Sequence, residues 1–72
     1  MDISFMEKEV IKFGQKFREI RCKKKLSQSD IARTLGVHRS YISGLECGVR
    51  NPSLLTIQKV AKAININAKD FF

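Results

Sequence analysis

The sequence predicts an all-α fold of five helices, and three observations carry that expectation. Apolar residues recur three and four positions apart in successive stretches, the period of a helix with one face turned to a core. No stretch reads convincingly as a half-buried strand. Helix-start signals, Ser27 with Asp30 and Asn67 with Asp70, alternate with stop signals at Gly36 and Gly48. The 72 residues make one small domain, residues 1–72, with a modest core, so stability drawn from a partner would be unsurprising.

Residues 1–6 are expected to form a frayed N-terminal extension. A first helix runs from Phe5 to about Lys24, with Val10, Phe13, Phe17 and Ile20 as its apolar stripe and lysines elsewhere. Leu26 turns the chain inward. Ser27 and Asp30 form an S-x-x-D capping box that opens the second helix. Gly36 closes that helix, where a left-handed residue is needed and no Cβ penalty arises. Val37 is expected to plug the corner. The third helix runs from about His38 to Glu46 and stops before Gly48. Pro52 is placed where Pro is tolerated, and Ser53 caps a fourth helix built on Leu54, Leu55, Ile57, Val60, Ala61 and Ile64. Asn67 with Asp70 opens a last helical turn that carries Phe71 and Phe72. Cys22 reads as a small core residue.

The net charge of +7 and a pI near 9.9 favour a polyanionic partner, nucleic acid before an anionic membrane surface. Residues 1–26 carry eight basic and four acidic side chains and the rest of the excess is spread onward, so this is not a basic tail. Lys23, Lys24 and Lys25 are best read as a solvated helix end that adds to long-range attraction. The single His and two Cys leave no metal-ligand cluster, and no cofactor is expected. No signal peptide or membrane-length apolar run is evident and Cys22 and Cys47 make no disulfide framework, so the expected setting is a reducing cytoplasm. No nucleophile–base or acid–base set supports an enzyme.

Residues 28 to 47 read as a helix-turn-helix, the second and third helices meeting at Gly36. Ile31, Leu35, Ile42 and Leu45 point at one core, and Ala32 lies where the helices cross. The outward residues of the third helix, Arg39, Ser40, Tyr41 and Ser43, are nearly all polar, the layout of a helix that reads the DNA major groove.

The strings Leu26-Ser27-Gln28-Ser29-Asp30-Ile31-Ala32, Leu35-Gly36-Val37, Ile42-Ser43-Gly44-Leu45-Glu46, Gly48 and Asn51-Pro52-Ser53-Leu54 resemble the lambda-repressor-like helix-turn-helix family, the Xre or Cro/C1 type. The resemblance covers about residues 13 to 72. Within the family, His38 to Glu46 followed by Arg50-Asn51-Pro52 is most similar to the controller proteins of restriction–modification systems. Those are dimeric regulators of palindromic operators. The resemblance therefore implies a sequence-specific transcription regulator of double-stranded DNA, acting as a homodimer, with RNA polymerase as a further partner and no membrane role.

It also assigns sites. Arg39 would read a guanine through O6 and N7, the commonest specific major-groove contact, rather than stand as a solvated Arg. Ser40 and Ser43 would touch bases or phosphates. Tyr41 would meet a phosphate or a thymine methyl, or else pack half-buried. Gln28 would hold a phosphate at the start of the second helix, which fixes register and carries no sequence information. His38 would cap the third helix or touch a phosphate. Arg50 and Asn51 would lie against the DNA backbone. Arg21 and Glu46 would form a structural ion pair. Two departures stand out. Cys47 replaces the usual polar or basic residue, and Lys25 stands where a left-handed Gly is common.

Leu54, Leu55, Ile57, Phe71 and Phe72 are the expected dimer interface. Helix four has more apolar residues than one core face requires, and so small a domain is not expected to hide both phenylalanines. A two-fold there would set two recognition helices about 34 Å apart, one DNA turn. The competing readings are a phage or chromosomal repressor, and an antitoxin acting partly through protein–protein contact. A cationic membrane-surface peptide fits less well, since the apolar faces are needed for the core.

Overall fold

The computed structural model describes the backbone of residues 3–72 and the side chains of residues 8–72. Four α-helices follow in order, α1 (Ile3–Lys23), α2 (Gln28–Leu35), α3 (Arg39–Cys47) and α4 (Leu54–Ala63), then a 3-10 turn over Ala68–Phe71. No strand occurs among the described residues. Of the segment expected to fray, residues 1 and 2 lie outside the described residues, and Ile3–Met6 belong to α1.

The turns form where local chemistry calls for them. Ser27 Oγ accepts from the Asp30 N–H at 2.9 Å, and Asp30 Oδ2 accepts from the Ser27 N–H at 2.8 Å, so two orphan donors at the start of α2 are satisfied reciprocally. That backbone hydrogen bond from Ser27, with the Ser27 hydroxyl and the nearby Arg33, holds the Asp30 carboxyl below the usual carboxylate range. Ser53 Oγ caps α4 by accepting from the Thr56 N–H at 3.1 Å. Lys25 has φ 59°, left-handed without the freedom of glycine. Asn65, at φ 60°, does the same after α4, a conformation Asn tolerates better than most residues.

The core draws on every element. Phe13 and Phe17 of α1, Ile31 of α2, Ile42 and Leu45 of α3, and Val60 of α4 are fully buried together with Ile64. Ile20, Leu26 and Leu35 pack against them, half-buried.

Four sequence expectations need correction. The fifth helix is a single 3-10 turn. Asp70 N–H bonds to the Asn67 carbonyl at 2.9 Å and Phe72 N–H to the Lys69 carbonyl at 3.1 Å, the three-residue closure typical of so short a piece. Phe71 is not free for an interface: it is only 4% exposed and meets Phe13 edge to face, with ring centroids 4.9 Å apart. Cys22 is exposed. It lies nine residues from Phe13, which at helical pitch is the opposite face of α1. Val37 at the corner is less covered than expected, 38% exposed.

Candidate nucleic-acid interface

The turn between α2 and α3 is closed by two bonds. Gly36, at φ 69°, donates to the Arg33 carbonyl at 3.3 Å, and Val37 N–H bonds to the Ala32 carbonyl at 3.0 Å. The chain then enters α3 directly. His38 Nδ1 accepts from the Ser40 N–H at 3.1 Å, so the histidine is the N-cap of α3.

With Ile42 and Leu45 fixed in the core, helical pitch decides what α3 shows to solvent. Arg39 and Ser40 are exposed, and Tyr41 and Ser43 are half-exposed. Arg39, Ser43 and Cys47 follow one another at four-residue steps, so the exposed thiol of Cys47 continues this row.

Two contacts seat α3 from behind. Gly14 of α1 lies against its backbone: a Cβ there would stand 2.6 Å from the Glu46 carbonyl oxygen. One helical stretch further along α1, Arg21 pairs with Glu46. Its Nε donates to Glu46 Oε2 at 2.6 Å and its Nη2 to Oε1 at 3.1 Å, while Nη1 bonds to the Leu26 carbonyl at 2.8 Å. The Glu46 side chain is 2% exposed. The hydrogen bond to Glu46 holds the Arg21 guanidinium charged beyond its ordinary range. The fork geometry and burial make this a charge pair whose two halves depend on each other.

The pair continues outward. Gln28 Nε2 donates to Glu46 Oε1 at 3.1 Å, and Gln28 Oε1 accepts from Arg39 Nη1 at 2.9 Å. Gln28, expected to face a phosphate, has both ends of its amide engaged inside the protein. A chain of hydrogen bonds thus runs from α1 through α3 and α2 to the first residue of the exposed row.

Arg50 and Asn51 are exposed beyond α3. Arg50 N–H bonds to the Gly44 carbonyl at 3.2 Å, and its guanidinium lies over the Tyr41 ring, 5.9 Å from the centroid. A Cβ on Gly44 would come within 2.6 Å of Arg50 Cγ, so that glycine makes the seat. Leu54, Leu55 and Phe72 are 72%, 59% and 75% exposed, whereas Ile57 is half-buried against the core. Among the described residues no cluster of side chains could hold a metal ion, and no helix is long and apolar enough to cross a membrane.

The links at Gln28, the seat at Gly44 and the close approach at Gly14 were missed from sequence. Gly14 did carry a signal: a glycine inside an otherwise periodic helix costs stability unless packing needs it.

An exposed polar row on the second helix of a tight two-helix turn, backed by a rigid core in a basic chain, defines a DNA-binding module. The chain belongs to the Helix-turn-helix family, which it matches over residues 17–71. That family comprises DNA-binding transcription regulators, not enzymes. Within it the chain is similar to restriction–modification controller proteins. It is 48% identical over 59 residues to control protein C.BamHI of Bacillus amyloliquefaciens, covering 81% of this chain and 73% of that protein. The crystal structure of the controller protein C.AhdI from Aeromonas hydrophila superposes with a TM-score of 0.83 at 46% identity, over 88% of this chain and 96% of that one. The controller protein C.Esp1396I, a tetramer in complex with its natural 35 base-pair operator, matches with a TM-score of 0.80 at 28% identity, over 89% of this chain and 84% of that one.

Proposed function

We propose that this chain is the controller protein of a restriction–modification system, a homodimer that binds a palindromic operator and regulates transcription. The observation that carries the reading is the exposed row of α3, led by Arg39, in a chain of net charge +7. The likeness to operator-binding controllers supports it. Arg39 reads a base, guanine by preference, through its paired donors. Ser40, Tyr41 and Ser43 line the same face. His38, Arg50 and Asn51 flank it and meet the sugar–phosphate backbone, which positions the protein without reading sequence. Leu54, Leu55 and Phe72, with Ile57 beneath, form the two-fold interface. RNA polymerase is the partner through which such a regulator acts.

Selection from a randomised duplex library, followed by salt titration of the selected duplex, tests this. A symmetric consensus is expected, with a log–log salt slope of roughly −0.9 per phosphate neutralised. A selection without consensus, or affinity indifferent to salt, overturns it.

A further inference from the structure

We propose that Glu46, acting through Gln28, fixes how Arg39 is presented to DNA, and so sets which base this position can read. The inference rests on the DNA-reading role of Arg39 proposed above.

The argument starts from the direction of an amide. The Gln28 side chain has one end that donates and one that accepts. Its neighbours allow no choice. The Glu46 carboxylate, paired to Arg21 at 2.6 and 3.1 Å, only accepts. The Arg39 guanidinium only donates. Gln28 must therefore give Nε2 to Glu46 and keep Oε1 for Arg39, as observed at 3.1 and 2.9 Å. The reversed amide would set a carbonyl oxygen against a carboxylate and an NH2 against a guanidinium, two repulsive contacts.

The burial gradient adds to this. Glu46 is buried, Gln28 is half-buried and Arg39 is exposed. A flexible, exposed arginine is thus tied to a fixed acceptor rooted in the core. One Nη of the fork is held by the protein, and the remaining donors stay free for a base edge. Restricting the side chain before binding removes part of the ordering cost that a free arginine would incur. Because the presented group is an acceptor, it supports a donor at position 39 and opposes a carboxylate there. Glu46 and Gln28 are positioning residues for base choice, though neither need touch a base.

The test is library selection with the wild type and with Arg39→Ala, Gln28→Met, Glu46→Gln and the exchanged pair Gln28→Glu with Glu46→Gln. The base pair whose preference disappears in Arg39→Ala identifies the one Arg39 reads. Gln28→Met and Glu46→Gln are each expected to lower preference at that same base pair by about fivefold or more, leaving other positions unchanged. The exchanged pair restores an acceptor toward Arg39 and is expected to restore the preference. In the Arg39→Ala background, Gln28→Met has no further effect. Should Glu46→Gln fail to fold, Gln28→Met carries the test alone, since it leaves the buried pair intact. If Gln28→Met weakens every sequence alike while preference at that base pair persists, Gln28 serves a phosphate and the inference falls. If the wild type selects no consensus at all, the proposed function falls first and the inference with it.

Discussion

The Arg50 guanidinium lies over the Tyr41 ring, and Gly44, with no side chain, leaves room for the Arg50 stem. A methyl at position 44 would meet Arg50 Cγ, an atom that can move, rather than backbone. Gly44→Ala is therefore expected to keep the fold and even to gain from helix propensity, about 1 kcal/mol at most. It should displace Arg50. If Arg50 neutralises a phosphate, the variant binds all duplexes more weakly and its salt slope falls by roughly 0.9. Fluorescence titration at several salt concentrations measures both.

Gly14→Ala makes the opposite case. Here the added methyl meets the carbonyl oxygen of Glu46, backbone inside a helix, which cannot swing aside. Overpacking of this kind costs about 1–3 kcal/mol, partly offset by propensity. A thermal midpoint lower by several degrees is expected, at about 4–8 °C per kcal/mol for a domain this small. Thermal melting by circular dichroism checks it, and an unchanged midpoint would mean that the helices separate freely.

Adjacent phenylalanines should behave differently. Phe71 is buried against Phe13 and Phe17, so Phe71→Ala should cost about 3–5 kcal/mol and leave little folded protein. Phe72 stacks at 6.4 Å on Phe13 but stays largely exposed. Phe72→Ala and Leu55→Asp are expected to leave the fold in place and to shift the protein toward monomer in sedimentation at micromolar concentration. Operator affinity should fall with the dimer. A wild type that sediments as a monomer and binds a half-site as tightly as the full palindrome would dispose of the two-fold.

Asp30 gives a pH dependence of known sign. Its carboxyl sits lower in the folded protein than in the free chain, so its contribution to stability is present above the ordinary value of 3.8 and is lost as pH falls below it. Compared with Asp30→Asn, the wild type should melt higher at neutral pH, and the gap should close as acid protonates the carboxyl. A gap that persists in acid would mean the capping box works without its charge.

What was legible in the sequence was whatever depends on neighbours along the chain. The Ser27–Asp30 box, the Gly36 and Gly48 stops and the core faces of α2 and α3 all follow from spacing. The Arg21–Glu46 pair was named through resemblance alone, because nothing in a one-dimensional pattern brings residues 21 and 46 together. The hydrogen bonds of Gln28 to Glu46 and Arg39 were missed for a related reason. The start of a helix suggests an anion, and only the assembled fold shows that an acceptor and a donor already claim the side chain. Phe71 was misplaced because a count of apolar residues cannot tell which of two neighbours the last turn rotates inward. Cys22 could have been placed correctly, since its angle from Phe13 is fixed by helical pitch.

The missing side chain at position 14 also sets a depth. With a glycine facing its backbone, α3 lies closer to α1 than a side chain at position 14 would allow. How far Arg39 and Ser43 stand out from the body of the protein is thus influenced from the opposite side of α3, by a residue of α1. Reach and chemistry are separately adjustable. Side chains along α3 change what is touched, whereas the bulk of residue 14 changes how far the whole row advances.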